Sequence, residues 1–440
     1  MSTQSIHLVG AGGAGMSALG LLALRKGWAV SGTDREDGPA LVALRAAGAD
    51  VHVGHSADAI PAKVDVVVLS TAIPATNPEV VAAGERGLAV IHRSDLLAML
   101  MDGHRGLAVA GAHGKSTTTA MLSLALGGAT LCVGAEVPWG DGTGAAWGDG
   151  PWFCAEADES DRSLLRLPAE AAILLNVDHD HHSTYASIDE VEDVFRQFIA
   201  ALPADGLLVV GPDPRAQRVA EGAPCAVRVV GDADGAWAHV RDHTLVLATG
   251  DRVALGLAAP GAHNRENAAC AIALADWCGV PPALAAERIA LFAGVGRRFE
   301  DIGTAGGVRV VDDYAHHPVE VVATLAAARS VHDGRIVAVF QPHLFSRTRA
   351  LAQEFGEALS SADIVVVTDI YAARETPEPG VDGTLVMSSI SGPDEMMFVP
   401  LLADVPSVIV PDLRPGDLVI TMGAGDITTL GPRILEALGG

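Results

Sequence analysis

Lysine is the scarcest charged residue in this chain. Only Lys26, Lys63 and Lys115 occur among 440 residues, and acidic side chains exceed basic ones enough to give a formal charge of −25. The chain has no basic stripe to neutralise the phosphates of a nucleic acid, so we expect no nucleic-acid partner. Chemistry that needs an amine side chain is limited to these three positions.

Cysteine and long hydrophobic runs are also scarce. The five cysteines form no CxxC pair and no even framework, which fits buried thiols in a reducing compartment. No apolar run reaches the roughly 18 residues of a membrane span. The apolar stretch near the start is broken by glycines, and its basic pair, Arg25 and Lys26, follows it rather than preceding it. We therefore expect a cytoplasmic protein without membrane insertion.

Length and pattern predict an α/β protein of three domains. The chain has 440 residues, of which 49% are hydrophobic, and a domain typically takes about 150 residues. Repeated units of strand, polar loop and helix indicate largely parallel sheets that bind ligands at the carboxyl ends of their strands. We place a Rossmann-like N-terminal domain at 1–104, a central phosphate-loop α/β domain at 105–296 and a C-terminal Rossmann-like α/β domain at 297–440.

The most informative stretch lies between an apolar run that ends at Ala110 and an apolar helical pattern. Its residues are Gly111, Ala112, His113, Gly114, Lys115, Ser116 and Thr117. A glycine-rich turn before a helix points backbone N–H groups at phosphate oxygens, with Lys115 as a point charge and Ser116 as a hydroxyl for Mg²⁺. The short GxxGK[ST] spacing indicates nucleotide phosphates without specifying a reaction. The alternative is a structural glycine turn with a surface lysine.

A second glycine motif lies near the start of the chain. Gly10, Gly12 and Gly15 follow a short apolar strand and precede a helix rich in leucine and alanine. Such glycines permit a tight turn and a close approach of backbone to a pyrophosphate. The next strand ends at Asp34, where a carboxylate can meet a ribose hydroxyl. Taken alone, this pattern favours NAD.

Polar residues follow other predicted strands. Ser70 and Thr71 end a strand of the first domain. In the central domain, one strand runs into four acids that begin at Glu156, and the next runs into a segment of acids and histidines that includes His181. Carboxyl ends of parallel strands meet at one edge, so the last two belong with the phosphate loop. A solvated acidic loop or a zinc hydrolase site is possible, but the neighbouring phosphate loop favours Mg²⁺.

In combination, these motifs resemble the Mur ligase family, which builds the peptide of bacterial cell-wall precursors. The series runs nearly end to end as GAHGKSTTT, EADESD, GAHNRENA, GVGRRFE, DDYAHHP, QPHLFSRTR and GAGDI. The resemblance implies an ATP-dependent ligase that joins L-alanine to the carboxylate of UDP-N-acetylmuramate through an acyl phosphate, giving ADP and phosphate. A ligase that recycles whole peptides is the alternative within the family.

The resemblance also implies which residues bind each ligand. The ATP contacts would be Gly111, Ala112, His113, Gly114, Lys115, Ser116, Thr117, His263, Asn264, Asn267, Arg298 and Asp312. The sugar-nucleotide and amino-acid contacts would be Gly10, Gly12, Gly13, Gly15, Asp34, Ser70, Thr71, Arg93, Tyr314, His316 and Arg347. The Mg²⁺ ligands would be Ser116, Glu156 and His181. The catalytic residues would be Lys115, Glu156, His316 and Arg347.

These assignments change the interpretation of the first glycine motif, which would bind the pyrophosphate of UDP rather than NAD. They imply a sugar-nucleotide domain, an ATP domain and a C-terminal ligase domain, in a monomer or weak homodimer. Two alternatives come from other classes. One is an NAD-dependent UDP-sugar oxidoreductase, and the other is a nucleotide sensor that binds ATP without turnover.

Overall fold

The computed structural model describes residues 4–140, 142–180, 184–373 and 375–439. The chain divides into two compact units. The first comprises Met1–Ala258 and Arg265–Val295, and the second comprises Ala259–Asn264 and Gly296–Gly440. The three domain boundaries given above stay predictions.

A parallel sheet occupies the first hundred residues. Within the described range 4–104, its five strands are β1 (Ser5–Val9), β2 (Ala29–Asp34), β3 (Asp50–Val53), β4 (Val66–Leu69) and β5 (Ala89–His92), in the order β3-β2-β1-β4-β5. The helices are α1 (Ala14–Arg25), α2 (Pro39–Ala46), α3 (Pro78–Glu85) and α4 (Arg93–Met101). The strand order reverses between β1 and β4, so the loop after β1 opens at a topological switch point, where such sheets bind ligands.

The second sheet carries the phosphate loop. In the described part of 105–258 its seven strands follow the order β12-β11-β10-β6-β9-β7-β8, and they are parallel except for the pair β7 and β8. They are β6 (Arg105–Ala110), β7 (Thr130–Cys132), β8 (Ala145–Ala146), β9 (Trp152–Glu156), β10 (Ala171–Leu174), β11 (Leu207–Val210) and β12 (Ala226–Val229). A separate antiparallel sheet contains β13 (Ala238–Arg241), β14 (Thr244–Leu247) and β15 (Arg252–Ala254).

Helices cover this part of the first unit and share its core. They are α5 (Lys115–Leu126), α6 (Ile188–Ala200), α7 (Pro214–Val219), α8 (Ala262–Trp277) and α9 (Pro282–Ile289). One buried cluster contains Leu8 of β1 and Leu22 of α1 together with Phe153 and Ala155 of β9. The first two sheets are therefore packed into one unit through a common apolar core.

The second unit contains one mixed sheet. In its described residues six strands follow the order β16-β17-β21-β18-β19-β20, antiparallel only between β16 and β17. They are β16 (Glu300–Ala305), β17 (Val308–Asp313), β18 (Ile336–Phe340), β19 (Ile364–Val367), β20 (Glu395–Phe398) and β21 (Leu418–Met422). The helices are α10 (Pro318–Val331), α11 (Phe345–Leu359), α12 (Thr384–Met387), α13 (Val405–Ile409) and α14 (Leu430–Ala437).

Helix α8 begins earlier than the sequence pattern predicts. The apolar pattern predicts a helix from Ala268, whereas the helix starts at Ala262. Gly261 has φ +98°, a left-handed backbone conformation immediately before the first residue of the helix. The polar residues that follow it therefore occupy the first turns of α8. None of the helices in the described ranges is both long enough and apolar enough to span a bilayer.

Candidate active site

The phosphate loop joins the carboxyl end of β6 to the first residue of α5. Gly111 and Gly114 have φ values of +138° and +83°, which glycine adopts readily. A Cβ atom on Gly111 would lie 3.1 Å from the backbone nitrogen of Asn176, and one on Gly114 would lie 3.0 Å from Oδ1 of Asn267. The close packing and the backbone angles both require glycine, so the predicted turn at the start of a helix is present.

Asn176 holds this loop from the neighbouring strand end. Its Oδ1 accepts a hydrogen bond from the backbone N–H of His113 at 2.8 Å, and its Nδ2 donates to the carbonyl of His113 at 3.0 Å. The two bonds fix both sides of one peptide in the loop. Sequence reasoning treated Asn176 only as part of a buried strand, because nothing in the pattern shows that β10 lies beside β6.

Lys115 is half-buried and folds back over its own loop. Its Nζ donates to the carbonyls of Gly111 and Ala112 at 2.7 and 3.2 Å, and it lies 2.9 Å from the carboxylate of Glu159. Burial by itself lowers the pKa of Lys115, but the carboxylates of Glu159, Asp158 and Glu156 raise it above the ordinary value for lysine. Lys115 is therefore a permanent positive charge beside the helix N-terminus.

Ser116 and Glu156 form the second part of the site. The Ser116 hydroxyl donates to Oε2 of Glu156 at 2.9 Å, and the backbone N–H of Gly134 donates to the same oxygen at 2.9 Å. A hydroxyl and a carboxylate are hard oxygen ligands of the kind that Mg²⁺ prefers. The donor set therefore fits Mg²⁺ at the position where a nucleotide phosphate loop normally holds one. His181, the third predicted ligand, lies outside the described residues.

Arg93 at the start of α4 contacts the acidic loop after β9. Its guanidinium lies 2.9 Å from Asp158 and 3.1 Å from Asp161. Burial raises the pKa of Asp158, but Lys115 and Arg93 outweigh it and lower that pKa to about 2. Arg93, Gly15, Glu156 and Asp158 line one cleft of about 90 Å³. The structure thus brings two predicted sugar-nucleotide residues next to a predicted metal ligand.

The first glycine loop is held by the end of β2. The backbone N–H groups of Gly10 and Ala11 donate to the carbonyl of Thr33 at 2.9 and 2.8 Å, and Gly12 N–H donates to Oδ2 of Asp34 at 2.8 Å. Asp34, predicted to contact a ribose, therefore also supports the loop through one carboxylate oxygen. Two further sets of predicted contacts belong to this part of the chain. Gly13 lies on the loop itself, and Ser70 and Thr71 follow β4, the parallel neighbour of β1.

Other predicted nucleotide-binding residues belong to different units, because the boundary between the two units crosses α8 after Asn264. Asn267 is buried against the phosphate loop in the first unit, and His113 lies 3.5 Å from a carboxylate oxygen of Asp178. His263 and Asn264 belong to the second unit. There the Asn264 amide donates to the carbonyl of Pro260 at 2.7 Å.

In the second unit, cations surround the ring of Tyr314. The guanidinium carbons of Arg297 and Arg298 lie 4.8 and 5.2 Å from its centroid, within the range of cation–π attraction. The ring of His316 lies 5.0 Å from the same ring, centroid to centroid. Arg298 also pairs with Glu320 at 3.1 Å. Three predicted ligand contacts are therefore neighbours, in a group with Glu320, which the sequence did not identify.

His343 extends this group to Arg347. The rings of His316 and His343 are 6.0 Å apart, and Arg347 lies 3.2 Å from Nδ1 of His343. Arg347 is in the first turns of α11 and is 4% exposed. The predicted residues of DDYAHHP and QPHLFSRTR therefore follow two strands of one sheet, β17 and β18, which lie on either side of β21.

Asp312 and Asp313 end β17 and are both buried. Asp312 accepts from Thr421 at 2.6 Å and Thr428 at 2.9 Å, and it pairs with Arg297 at 3.2 Å. Asp313 accepts from the backbone of Phe299 at 2.8 Å. Arg297 and Phe299 have φ values of +59° and +51°. The two carboxylates thus hold a turn whose non-glycine residues are in a costly conformation.

We predict an unusually high pKa for Asp313. Burial raises it from 3.8 to about 6, against the lowering effects of Arg298 and two backbone N–H groups. Because the folded pKa exceeds the unfolded one, this carboxyl stabilises the fold most in acid, and that contribution is lost as pH rises from about 4 to about 6.

Carbon-13 NMR of protein labelled at aspartate carboxyls should show one resonance that titrates near pH 6. That resonance should be missing from Asp313→Asn. If every aspartate carboxyl in the wild-type protein titrated below pH 5, the assignment would be wrong.

The arrangement in the first unit indicates a class of enzyme. A permanent cation, backbone N–H groups at a helix start and a hydroxyl with a carboxylate for a divalent ion are the parts that bind and activate nucleoside triphosphate phosphates. They lie at the carboxyl edge of a parallel sheet. This geometry belongs to nucleotide-dependent phosphoryl-transfer enzymes.

Comparison with known proteins identifies the family. Residues 5–105 match the domain described as Mur ligase family, catalytic domain, residues 154–275 match the Mur ligase middle domain, and residues 297–425 match the Mur ligase, glutamate ligase domain. The UDP-N-acetylmuramate--L-alanine ligase of Streptomyces griseus is 44% identical over 451 residues, which cover 98% of this chain and 97% of that protein. The enzyme of the same name from Rubrobacter xylanophilus is 44% identical over 449 residues, covering 99% and 100%. This chain belongs to the Mur ligase family.

Solved structures agree with this assignment. The crystal structure of the UDP-N-acetylmuramate-alanine ligase from Thermotoga maritima matches with a TM-score of 0.81 at 27% identity, covering 98% of each chain. A murein peptide ligase from Psychrobacter arcticus matches with a TM-score of 0.72 at 22% identity, covering 99% of this chain and 98% of that one, which supports the fold alone. The predicted three-domain α/β fold and the predicted family are confirmed.

Proposed function

We propose that this chain joins L-alanine to the carboxylate of UDP-N-acetylmuramate, with conversion of ATP to ADP and phosphate. The observation that carries the proposal is near full-length identity of 44% to ligases named for that reaction. The half-buried Lys115 beside Ser116 and Glu156 supplies the matching chemistry. The product is a peptidoglycan precursor.

The first step brings two anions together. A carboxylate oxygen of the sugar nucleotide attacks the γ-phosphorus of ATP, the bond to the β-phosphate oxygen breaks, and ADP leaves. Two unit charges about 4 Å apart at an effective dielectric of about 20 repel by roughly 4 kcal/mol. Lys115 offsets this repulsion because it stays protonated and its amine lies at the start of α5. Catalysis of this kind depends mainly on positioning and charge stabilisation.

Ser116 and Glu156, with His181, are the residues that would hold Mg²⁺. When bound, Mg²⁺ supplies positive charge to the phosphate oxygens. In the described residues, Glu156 also accepts the Gly134 N–H, which fixes the orientation of its carboxylate. Glu159 and Asp158 add negative charge nearby, which favours a bound cation. The phosphate would be bound by Lys115 and by the backbone N–H groups at the start of α5.

The second step forms the amide. The amine of L-alanine attacks the acyl carbon, the C–O bond to phosphate breaks, and one amine proton must leave. His316 is suited to accept it. Its Nδ1 lies 2.9 Å from the carbonyl of Tyr314 and 3.1 Å from Glu320, both acceptors, so the neutral form of the ring has its hydrogen on Nδ1 and its lone pair on Nε2. Arg298 and Arg347 are the proposed contacts for the anionic groups.

The alternative functions are not favoured by the comparisons. Near full-length relatives at 44% identity carry the name of the L-alanine ligase rather than that of the peptide-recycling ligase. Membership of a ligase family also argues against a UDP-sugar oxidoreductase and a nucleotide sensor. The oligomeric state and the cellular compartment stay predictions.

Phosphate release with a panel of acceptors tests the proposal. We expect release only when ATP and UDP-N-acetylmuramate are both present, with kcat/KM for L-alanine about tenfold or more above those for glycine, D-glutamate and an intact tripeptide. L-Serine belongs in the panel as a close analogue. A preference for the tripeptide would move the chain to the recycling ligase. Release that ignores UDP-N-acetylmuramate would reject both ligase assignments.

A further inference from the structure

Glu79 is a fully buried carboxylate in the first turn of α3. Its relative exposure is 0%, and its backbone N–H donates to the side chain of Asn77, which caps the helix. A carboxylate in such a place is costly unless several donors satisfy both oxygens. The role proposed for the phosphate loop and the sugar-nucleotide loop does not use Glu79 directly.

Three side chains from separate strands and loops satisfy this carboxylate. His7 Nε2 lies 2.8 Å from Oε2, and His55 Nδ1 lies 2.8 Å from Oε1. The hydroxyl of Thr33 donates to Oε1 and Oε2 at 2.7 and 2.9 Å. His7 is on β1, Thr33 is on β2 and His55 follows β3. Glu79 therefore ties α3 to three adjacent elements of the sheet.

Two further observations show that this network is well formed. His7 Nδ1 lies 2.9 Å from the hydroxyl of Ser31, so both ring nitrogens have partners. Burial raises the pKa of Glu79, but the bonds from His7, Thr33 and His55 outweigh it and hold that pKa below its ordinary value. The carboxylate is therefore ionised, and its two oxygens accept from His7, Thr33 and His55.

The network leads directly to the first glycine loop. Thr33, whose hydroxyl bonds Glu79, also provides the carbonyl that accepts from Gly10 and Ala11 at 2.9 and 2.8 Å. The next residue, Asp34, accepts from Gly12. The segment before α3 approaches the same loop, since a Cβ on Gly10 would lie 2.9 Å from Cδ1 of Ile73.

We propose that Glu79 is a positioning residue for the sugar nucleotide. It acts through Thr33, whose position sets the placement of the Gly10–Gly15 loop that receives the pyrophosphate. This inference rests on the proposed function for the identity of the ligand. A misplacement of about 1 Å can cost about 10²-fold in rate. A network that holds Thr33 in place therefore affects how well the glycine loop fits its ligand.

Glu79→Gln is the first test. The amide has nearly the same shape, but its NH₂ group meets a hydrogen-bond donor where Glu79 has an acceptor, so the network must rearrange. We expect the KM for UDP-N-acetylmuramate and the Kd for UDP, measured by calorimetry, to rise roughly ten- to hundredfold. The kcat and the KM for ATP should change by less than about threefold. Glu85→Gln, an exposed change on the same helix, is the matched control and should leave all four values unchanged.

Thr33→Val and Thr33→Ser form a second test that is milder for folding. Valine keeps the shape of the side chain and removes the donor to Glu79, whereas serine keeps the hydroxyl. We expect Thr33→Val to raise the Kd for UDP about tenfold and Thr33→Ser to stay within about threefold of the wild type. If Glu79→Gln does not fold, this pair decides the question.

The outcomes separate a positioning role from a purely structural one. In a variant that circular dichroism shows to be folded, equal losses in every kinetic parameter would overturn the proposal. An unchanged Kd for UDP in folded Glu79→Gln and Thr33→Val would also overturn it. UDP binding needs no turnover, so a wild-type protein that binds UDP but releases no phosphate would reject the proposed function while leaving this test intact.

Discussion

Replacing Lys115 by alanine is expected to lower the rate of phosphate release by about 10³-fold or more. Lys115 is the one lysine of the phosphate loop, and the other two, Lys26 and Lys63, lie elsewhere in the sequence. Its charge is permanent because nearby carboxylates raise its pKa. Removing it leaves the repulsion between ATP and the attacking carboxylate without its main side-chain counter-charge. Steady-state phosphate release is the measurement.

Two controls keep this result interpretable. Lys63→Ala removes an exposed lysine and should retain wild-type activity. Lys115→Ala also removes the ammonium that lies 2.9 Å from the buried Glu159 carboxylate, which destabilises the fold by itself. The double variant Lys115→Ala with Glu159→Gln removes that buried negative charge as well. We expect it to recover thermal stability and to stay inactive. Activity in either Lys115 variant would contradict the role given to this residue.

Replacing Glu156 by glutamine should lower kcat by about 10²- to 10³-fold and raise the Mg²⁺ concentration needed for half-maximal activity. Glutamine still accepts hydrogen bonds from Ser116 and from the Gly134 N–H, so the loop keeps its shape. What it loses is the negative charge that a divalent cation requires. Activity titrated against MgCl₂ at saturating substrates measures both changes.

The matched control for Glu156→Gln is Glu221→Gln, which neutralises an exposed carboxylate of the same unit. It should leave the Mg²⁺ titration unchanged. A Glu156→Gln enzyme with a lower kcat but an unaltered Mg²⁺ requirement would show that Glu156 acts in some way other than holding the metal.

Local motifs predicted the parts of the site that lie within one stretch of chain. The loop from Gly111 to Ser116 was predictable because its glycines, lysine and hydroxyl are consecutive and stand between a strand and a helix. Glu156 was predictable as an acid at a strand end. The Rossmann-like sheet around Gly10 was predictable for the same reason, although its motif taken alone favoured NAD rather than a UDP-sugar.

The remaining features depend on which strands and helices are neighbours. The pairing of Lys115 with Glu159, and of Arg93 with Asp158, joins residues that are far apart in sequence. The carboxylate of Glu79 shows no signal in the sequence, because its partners come from three other elements and its burial follows from the packing of α3 on the sheet. Such long-range partners need the three-dimensional arrangement, since no spacing or periodicity encodes them.

Transfer of oxygen from substrate to phosphate is the most direct test of the proposed reaction through an acyl phosphate. UDP-N-acetylmuramate with its carboxylate labelled by ¹⁸O is incubated with ATP, Mg²⁺ and L-alanine, and both products are analysed by mass spectrometry. In the proposed reaction a carboxylate oxygen bonds to the γ-phosphorus and leaves with phosphate when the amine attacks. We expect phosphate that carries one ¹⁸O and an alanyl amide that retains the other. Unlabelled phosphate, or phosphate released without formation of the amide, would contradict it.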